Sequence, residues 1–181
     1  KIRIMQLKRV VVTGLGALTP LGNNLRAYWD GLAAGVSGAN LITRFDASKF
    51  NTRFACELKN FNVEDHIDRK EARRMDEFMH YGVAAGIQAV QDSGTDFAQV
   101  DPERCGVITG SGIGGLSTIE AEYDTYLAAQ TPRKISPFFI PSSIINMISG
   151  HLSIRYGLKG PNLGVVTACT TSTHAIGLAM R

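Results

Sequence analysis

Gly164, Val165, Val166, Thr167, Ala168, Cys169, Thr170, Thr171, Ser172: this stretch sets a cysteine where an apolar run ends and a helical pattern begins. Leu163 to Thr167 reads as a strand and Ser172 to Met180 as the start of a helix. A side chain on such a turn is displayed at the carboxyl edge of a sheet. The helix amino terminus beside it offers unpaired N–H groups carrying a partial positive charge. Both favour a thiolate, and the same N–H groups suit a developing oxyanion. By turn geometry alone Cys169 is either a nucleophile or a small buried core residue, the commoner fate of a free cysteine. Cys56 and Cys105, inside or beside strand runs, read as core.

Working outward, the chain alternates strands and helices. Arg9 to Thr13 holds three valines stopped by Gly14 and predicts a buried strand. A helix follows, capped by Asn23 or Asn24, with Leu25, Tyr28, Trp29 and Leu32 on one face and Gly35 beyond its end. Thr52 to Leu58 alternates weakly, as an edge strand does. A long helix is expected from about Arg69 to Asp92, with Asp68 and Glu71 in capping-box spacing and Gly94 closing it. On it Met75, Phe78, Met79, Gly82, Gly86, Ala89 and Val90 share one arc, and Arg69, Lys70, Arg73 and Arg74 share the opposite one. Cys105 to Thr109 predicts a second buried strand running into Gly110–Gly115, and Leu116 to Ala129 a further helix. Pro141 and Ser142 open another helix that closes near Gly157. The fold class is therefore α/β with a mostly parallel sheet.

Composition agrees. The 181 residues are 44% hydrophobic and 19% charged, which excludes a disordered or low-complexity chain. A formal charge of +3 argues against a nucleic-acid partner, which calls for a dense basic stripe. No apolar run approaches the roughly 20 residues of a membrane span, and the opening KIRIMQLKRV lacks the apolar stretch of a secretory signal, so the expected compartment is the cytoplasm. Three widely spaced cysteines without a CxxC pair indicate neither a disulfide framework nor a metal site.

TACTTS around Cys169 resembles the nucleophile segment of the beta-ketoacyl-acyl carrier protein synthases, in particular the type II enzymes of bacterial fatty acid synthesis. VVVTGLGALTPLG at Val10 to Gly22, GSGIGG at Gly110 to Gly115 and PRKISPFFIPSSIINMISGHLSIRYGLKGPN at Pro132 to Asn162 are similar to that family in the same order. The resemblance runs from Lys8 onward. It departs at Thr171 and Ser172, where members often have Ser-Gly.

The resemblance implies a thiolase-like fold, layered α-β-α-β-α in the whole enzyme with a mixed, mostly parallel sheet, and a decarboxylative Claisen condensation. Cys169 would take the acyl chain from an acyl carrier protein, with its own N–H in the oxyanion hole. Malonyl carrier protein would then lose carbon dioxide and attack the acyl-enzyme. No cofactor or metal is needed, and the partners are the acyl carrier protein and a second copy of the chain. A type I or polyketide synthase relative, or an inactive interaction fragment, are the other readings.

Family members are about twice this length, and their two active-site histidines come from the carboxyl-terminal half. Residues 8–181 are thus expected to be the amino-terminal half, residues 1–7 an extension, and the 181 residues alone inactive and poorly folded. The histidines present read as structural: His174, about 140° around the helix from the nucleophile, as a packed helix residue, and His66, His80 and His151 likewise.

In the resembled family Ile113 lines the acyl pocket and gates chain length; otherwise its segment is a tight turn. Phe138 and Phe139 either reach the acyl channel across a dimer interface or fill core. The basic arc, with Arg133 and Lys134, is ordinarily a solvated face; an acidic carrier protein turns it into a docking surface. GLGALTPLG is a poor dinucleotide turn, because Thr19 occupies the third-glycine position.

Overall fold

The computed structural model describes residues 9–181; the expected extension, residues 1–7, lies outside the described residues. Helix α1 spans Leu25–Ala33, and the short strands β1 (Asn40–Leu41) and β2 (Phe54–Ala55) pair antiparallel. Helices α2 (Arg69–Ala72) and α3 (Glu77–Ser93) precede strand β3 (Val107–Gly110). Helices α4 (Leu116–Ala129), α5 (Phe139–Ser143) and α6 (Met147–Tyr156) lead to strand β4 (Asn162–Val165), and α7 (Thr171–Ala179) follows.

Strands β3 and β4 pair in parallel, in register from Val107 with Asn162 to Gly110 with Val165. A Cβ placed on Gly164 would meet Asn146 at the start of α6, and one on Gly110 would meet Thr171 at the start of α7. Those two glycines occupy successive rungs of the ladder, so their Cβ directions point to opposite faces. Helices α6 and α7 therefore cover opposite sides of the parallel pair, and α3 packs outside α6. The core lies between α2, α3 and α6, where Ile67, Met75, Met79, Val83, Ile87, Ile148 and Leu152 are buried together.

Several sequence expectations are corrected. Arg9 to Thr13 forms no strand, and Val10, Val11 and Val12 are 50%, 61% and 77% exposed. A strand exists only by pairing, and no described strand lies alongside these valines. The glycines that follow are pressed onto a helix. A Cβ on Gly16 would stand 2.0 Å from the Ala85 carbonyl oxygen of α3, and the Leu15 and Ala17 N–H groups donate to Asp92 Oδ2 (2.9 Å) and Gln88 Oε1 (3.1 Å). Close backbone approach to a helix, not a nucleotide, is what that glycine serves. The edge strand of Thr52 to Leu58 shrinks to Phe54–Ala55.

The long helix of Arg69 to Asp92 is two helices. The chain breaks at Arg73–Asp76, and Asp76 caps α3 by accepting from the Phe78 N–H. The buried side also differs, because α6 and the Gly14–Gly16 segment cover α3 from different directions: Met79, Val83, Ala84 and Ile87 are buried, while Phe78, Ala89 and Val90 are half-buried. Asp68 caps α2 through the Lys70 N–H at 2.8 Å; Glu71, which the capping box would turn back to Asp68, reaches His151 Nδ1 at 3.1 Å. The helix from Pro141 to Gly157 likewise divides into α5 and α6, since Ile144 is extended with ψ 140°. Other boundary expectations hold: Asn24 caps α1, Gly94 and Gly157 end α3 and α6 in the left-handed region, and α4 has the expected bounds. Among the described residues no helix is long and apolar enough to cross a membrane.

Candidate active site

Because β3 and β4 are parallel and in register at Gly110 and Val165, the segments leaving them emerge side by side at one edge. The first is the glycine-rich loop to α4. The second is the turn Val166–Thr170, which carries Cys169 into α7.

The turn is tight and held from within. Thr167 has φ −145° and ψ 45°, and Ala168 stands in the left-handed region at φ +49°, which costs a non-glycine residue roughly 1–2 kcal/mol. Thr171 pins it: its buried hydroxyl donates to the Ala168 carbonyl (2.7 Å) and accepts the Thr167 N–H (2.9 Å). Thr170 adds a hydroxyl bond to the Thr167 carbonyl at 2.8 Å. The result is an exposed Cys169 side chain at the start of a helix. Among the described residues no hydrogen bond uses the Cys169 N–H, which leaves it free for an oxyanion.

Thr171→Val removes both hydroxyl bonds and is expected to cost about 1–3 kcal/mol and to slow any reaction at Cys169; Thr171→Ser keeps them and is expected to behave as the parent. Thermal melts alongside the rate of thiol acylation check this, and a valine variant with the parent's rate would contradict it.

The other cysteines differ from expectation. Cys56 is exposed and Cys105 half-buried, so neither is core. Cys56 follows a strand of two residues whose antiparallel pairing leaves it at the surface. His174 is exposed rather than packed; its Nδ1 lies 3.4 Å from Thr167 Oγ1. His80 meets the Ala72 carbonyl (2.9 Å), His66 stacks on Phe61 and His151 pairs with Glu71, all structural contacts.

Ile113 sits 70% exposed in the loop beside the cysteine turn. Phe139 lines an apolar cavity of about 380 Å³ with Ile119, Tyr123, Tyr126 and Ile135. Ile113 and Phe138 are not part of its lining. Phe138 instead carries the Arg74 guanidinium 4.6 Å above its ring. That contact joins the turn after α2 to the segment bearing Arg133 and Lys134. Arg69, Lys70, Arg73, Arg74, Arg133 and Lys134 are all exposed, and Arg69 pairs with Glu64 at 3.3 Å.

Sequence reasoning missed Thr171, the strain at Ala168 and the reach of Asp76 to α4. Only the departure from the familiar Ser-Gly pair marked Thr171, and nothing in an alanine signals a positive φ.

A parallel strand pair covered by helices on both sides, with a cysteine on a strained strand-to-helix turn, is the architecture of the thiolase-like ketosynthases. The chain belongs to the beta-ketoacyl synthase family, whose N-terminal domain matches residues 7–181. It is similar to the 3-oxoacyl-[acyl-carrier-protein] synthase 2 of Vibrio harveyi, 51% identical over 177 residues, which are 98% of this chain and 42% of that one. The chain thus spans about two fifths of the length of that curated relative. Among solved structures it is similar to the ishigamide ketosynthase/chain length factor, with TM-score 0.82 and 29% identity over 97% of this chain and 45% of the other. A second is a type II PKS acyl-carrier protein in complex with its ketosynthase bound to the hexaketide, with TM-score 0.78, 28% identity and 97% and 47% coverage.

Proposed function

We propose that this chain supplies the acyl-accepting half of a condensing enzyme that lengthens fatty acyl chains by two carbons. The observation that carries the reading is the exposed Cys169 on its threonine-pinned turn with a free N–H. The Cys169 thiolate attacks the thioester carbonyl of an acyl carrier protein; the carbon–sulfur bond to the carrier breaks, and the carrier leaves as its thiol after taking a proton. Charge on the carbonyl oxygen in the tetrahedral intermediate falls to the Cys169 N–H. Malonyl carrier protein loses carbon dioxide, and the resulting carbanion attacks the acyl-enzyme carbonyl. Cys169 departs as the thiolate and the product is a 3-ketoacyl carrier protein.

In this reading the acyl pocket takes in Ile113, Phe138 and Phe139, of which Phe139 alone lines the apolar cavity. The basic residues Arg69, Lys70, Arg73, Arg74, Arg133 and Lys134 receive the acidic carrier, and the Arg74–Phe138 contact makes the docking surface and the pocket neighbours. The polypeptide works as a homodimer in the cytoplasm. The identity of 51% to a 3-oxoacyl-[acyl-carrier-protein] synthase 2, against 29% and 28% to ketosynthases of the two solved structures, favours fatty acyl over polyketide substrates.

The reading is tested with the full-length polypeptide carrying this sequence, acyl and malonyl carrier proteins, and mass analysis of the carrier product. A two-carbon-longer ketoacyl product supports it; no product, with no acyl group on Cys169, overturns it. Charge reversal at Arg73 and Arg74 to Glu is expected to weaken carrier binding more than about tenfold at low salt, and the difference is expected to close as salt rises. Affinity unchanged at low salt would remove these arginines from the docking surface.

A further inference from the structure

Asp76 is the one charged side chain buried among the described residues, at 7% exposure. Capping α3 accounts for only part of its bonding. Its Oδ1 accepts the Phe78 N–H at 3.4 Å, whereas Oδ2 accepts the Thr118 N–H at 2.8 Å, from a residue 42 positions further along the chain. Thr118 lies in the first turn of α4, and that helix has Gly115 at its N-cap with no side-chain cap of its own. A carboxylate there satisfies an otherwise orphaned N–H and complements the positive end of the helix.

What this bond holds is the wall of the pocket. Helix α4 contributes Ile119, Tyr123 and Tyr126 to the apolar cavity, and its first turn follows directly on the loop bearing Ile113. On the other side that loop is tied down by the Gly115 N–H donating to the Ser143 carbonyl at 3.0 Å. The short turn Arg73–Asp76 thus touches the pocket region twice: Arg74 lies outward on Phe138, and Asp76 reaches inward to α4.

We propose that Asp76 is a positioning residue that fixes the first turn of α4, and with it the wall of the cavity that Ile119 and Tyr123 form, and so sets which acyl chains the pocket accepts. The proposal rests on the acyl-transfer reading above. Asp76→Ser separates its two roles, because serine is a good N-cap for α3 but too short to reach Thr118. Asp76→Asn is the milder change: it keeps one acceptor oxygen where the carboxylate has two.

The experiment compares the full-length polypeptide with both variants, measuring initial rates of Cys169 acylation from hexanoyl and palmitoyl carrier protein by intact mass, together with thermal melts. The hexanoyl-to-palmitoyl rate ratio is expected to shift roughly tenfold in the serine variant and less in the asparagine variant. If both rates fall together and the ratio stays as in the parent, Asp76 is merely structural and the proposal is overturned; an unchanged ratio at unchanged rates overturns it equally. Should the serine variant fail to fold, the ratio in the asparagine variant decides. A parent that acylates Cys169 while the variants keep its ratio sinks only this proposal, whereas a parent that takes no acyl group sinks the acyl-transfer reading and this proposal with it.

Discussion

Replacing Cys169 by serine in the full-length polypeptide is expected to abolish covalent capture of an acyl chain from its carrier. Serine preserves the size of the side chain and leaves the threonine bonds of the turn untouched, so the fold is expected to survive. What changes is the nucleophile: a hydroxyl with no adjacent base ionises far less readily than a thiol, and an alkoxide is a poorer leaving group in the second half-reaction. The loss is expected to reach on the order of a thousandfold or more in acylation rate. Intact-mass measurement after incubation with acyl carrier protein shows it directly. Exposure does not single out this thiol, since Cys56 is also exposed. Peptide mapping of the acylated parent is therefore part of the test, and an acyl group on Cys56, or a serine variant acylated at the parent's rate, would refute the assignment.

A second large effect is expected at Gly110, where β3 ends. A Cβ there would stand 2.2 Å from Thr171 Cγ2 and 2.7 Å from the Val165 carbonyl oxygen. The first atom belongs to the side chain that pins the cysteine turn, and the second to the backbone of the paired strand. Gly110→Ala must then either push α7 off the sheet or part the ladder, at a cost of about 1–3 kcal/mol. Because a displacement near 1 Å typically costs about a hundredfold in rate, Cys169 acylation is expected to fall by about that much. The double variant Gly110→Ala with Thr171→Ser separates the causes. Serine keeps the hydroxyl bonds and lacks the Cγ2 that collides, so partial recovery of the acylation rate is expected. A Gly110→Ala protein with the parent's melt and rate would show that the close packing at this strand end is dispensable.

Local patterns made part of this architecture readable. Gly94 ends a helix because only a left-handed residue turns the chain there, and Asn24 starts one because its side chain replaces a missing backbone acceptor; both signals act within a few residues. The valine run at Arg9 to Thr13 misled for the opposite reason. Its apolarity reports a preference for burial, but a strand also needs a partner, and its exposed valines have none among the described residues. The apparent continuity of Arg69 to Asp92 misled as well. A helical repeat carries no mark that the chain breaks at Arg73–Asp76, where Asp76 begins a new helix and bonds a residue 42 positions away.

The sequence by itself determined the class of the fold, the family, and the cysteine on a strand-to-helix turn, because each rests on neighbours in the chain or on several motifs in order. Only the tertiary structure decided that the turn is pinned by Thr171 with Ala168 forced left-handed, that Arg74 rests on Phe138, and that the buried Asp76 carboxylate caps α4. The contacts of Arg74 and Asp76 join segments brought together by helix packing, whose separation along the chain carries no periodic trace, and the Thr171 bonds, though local, go with a left-handed alanine that no residue type announces.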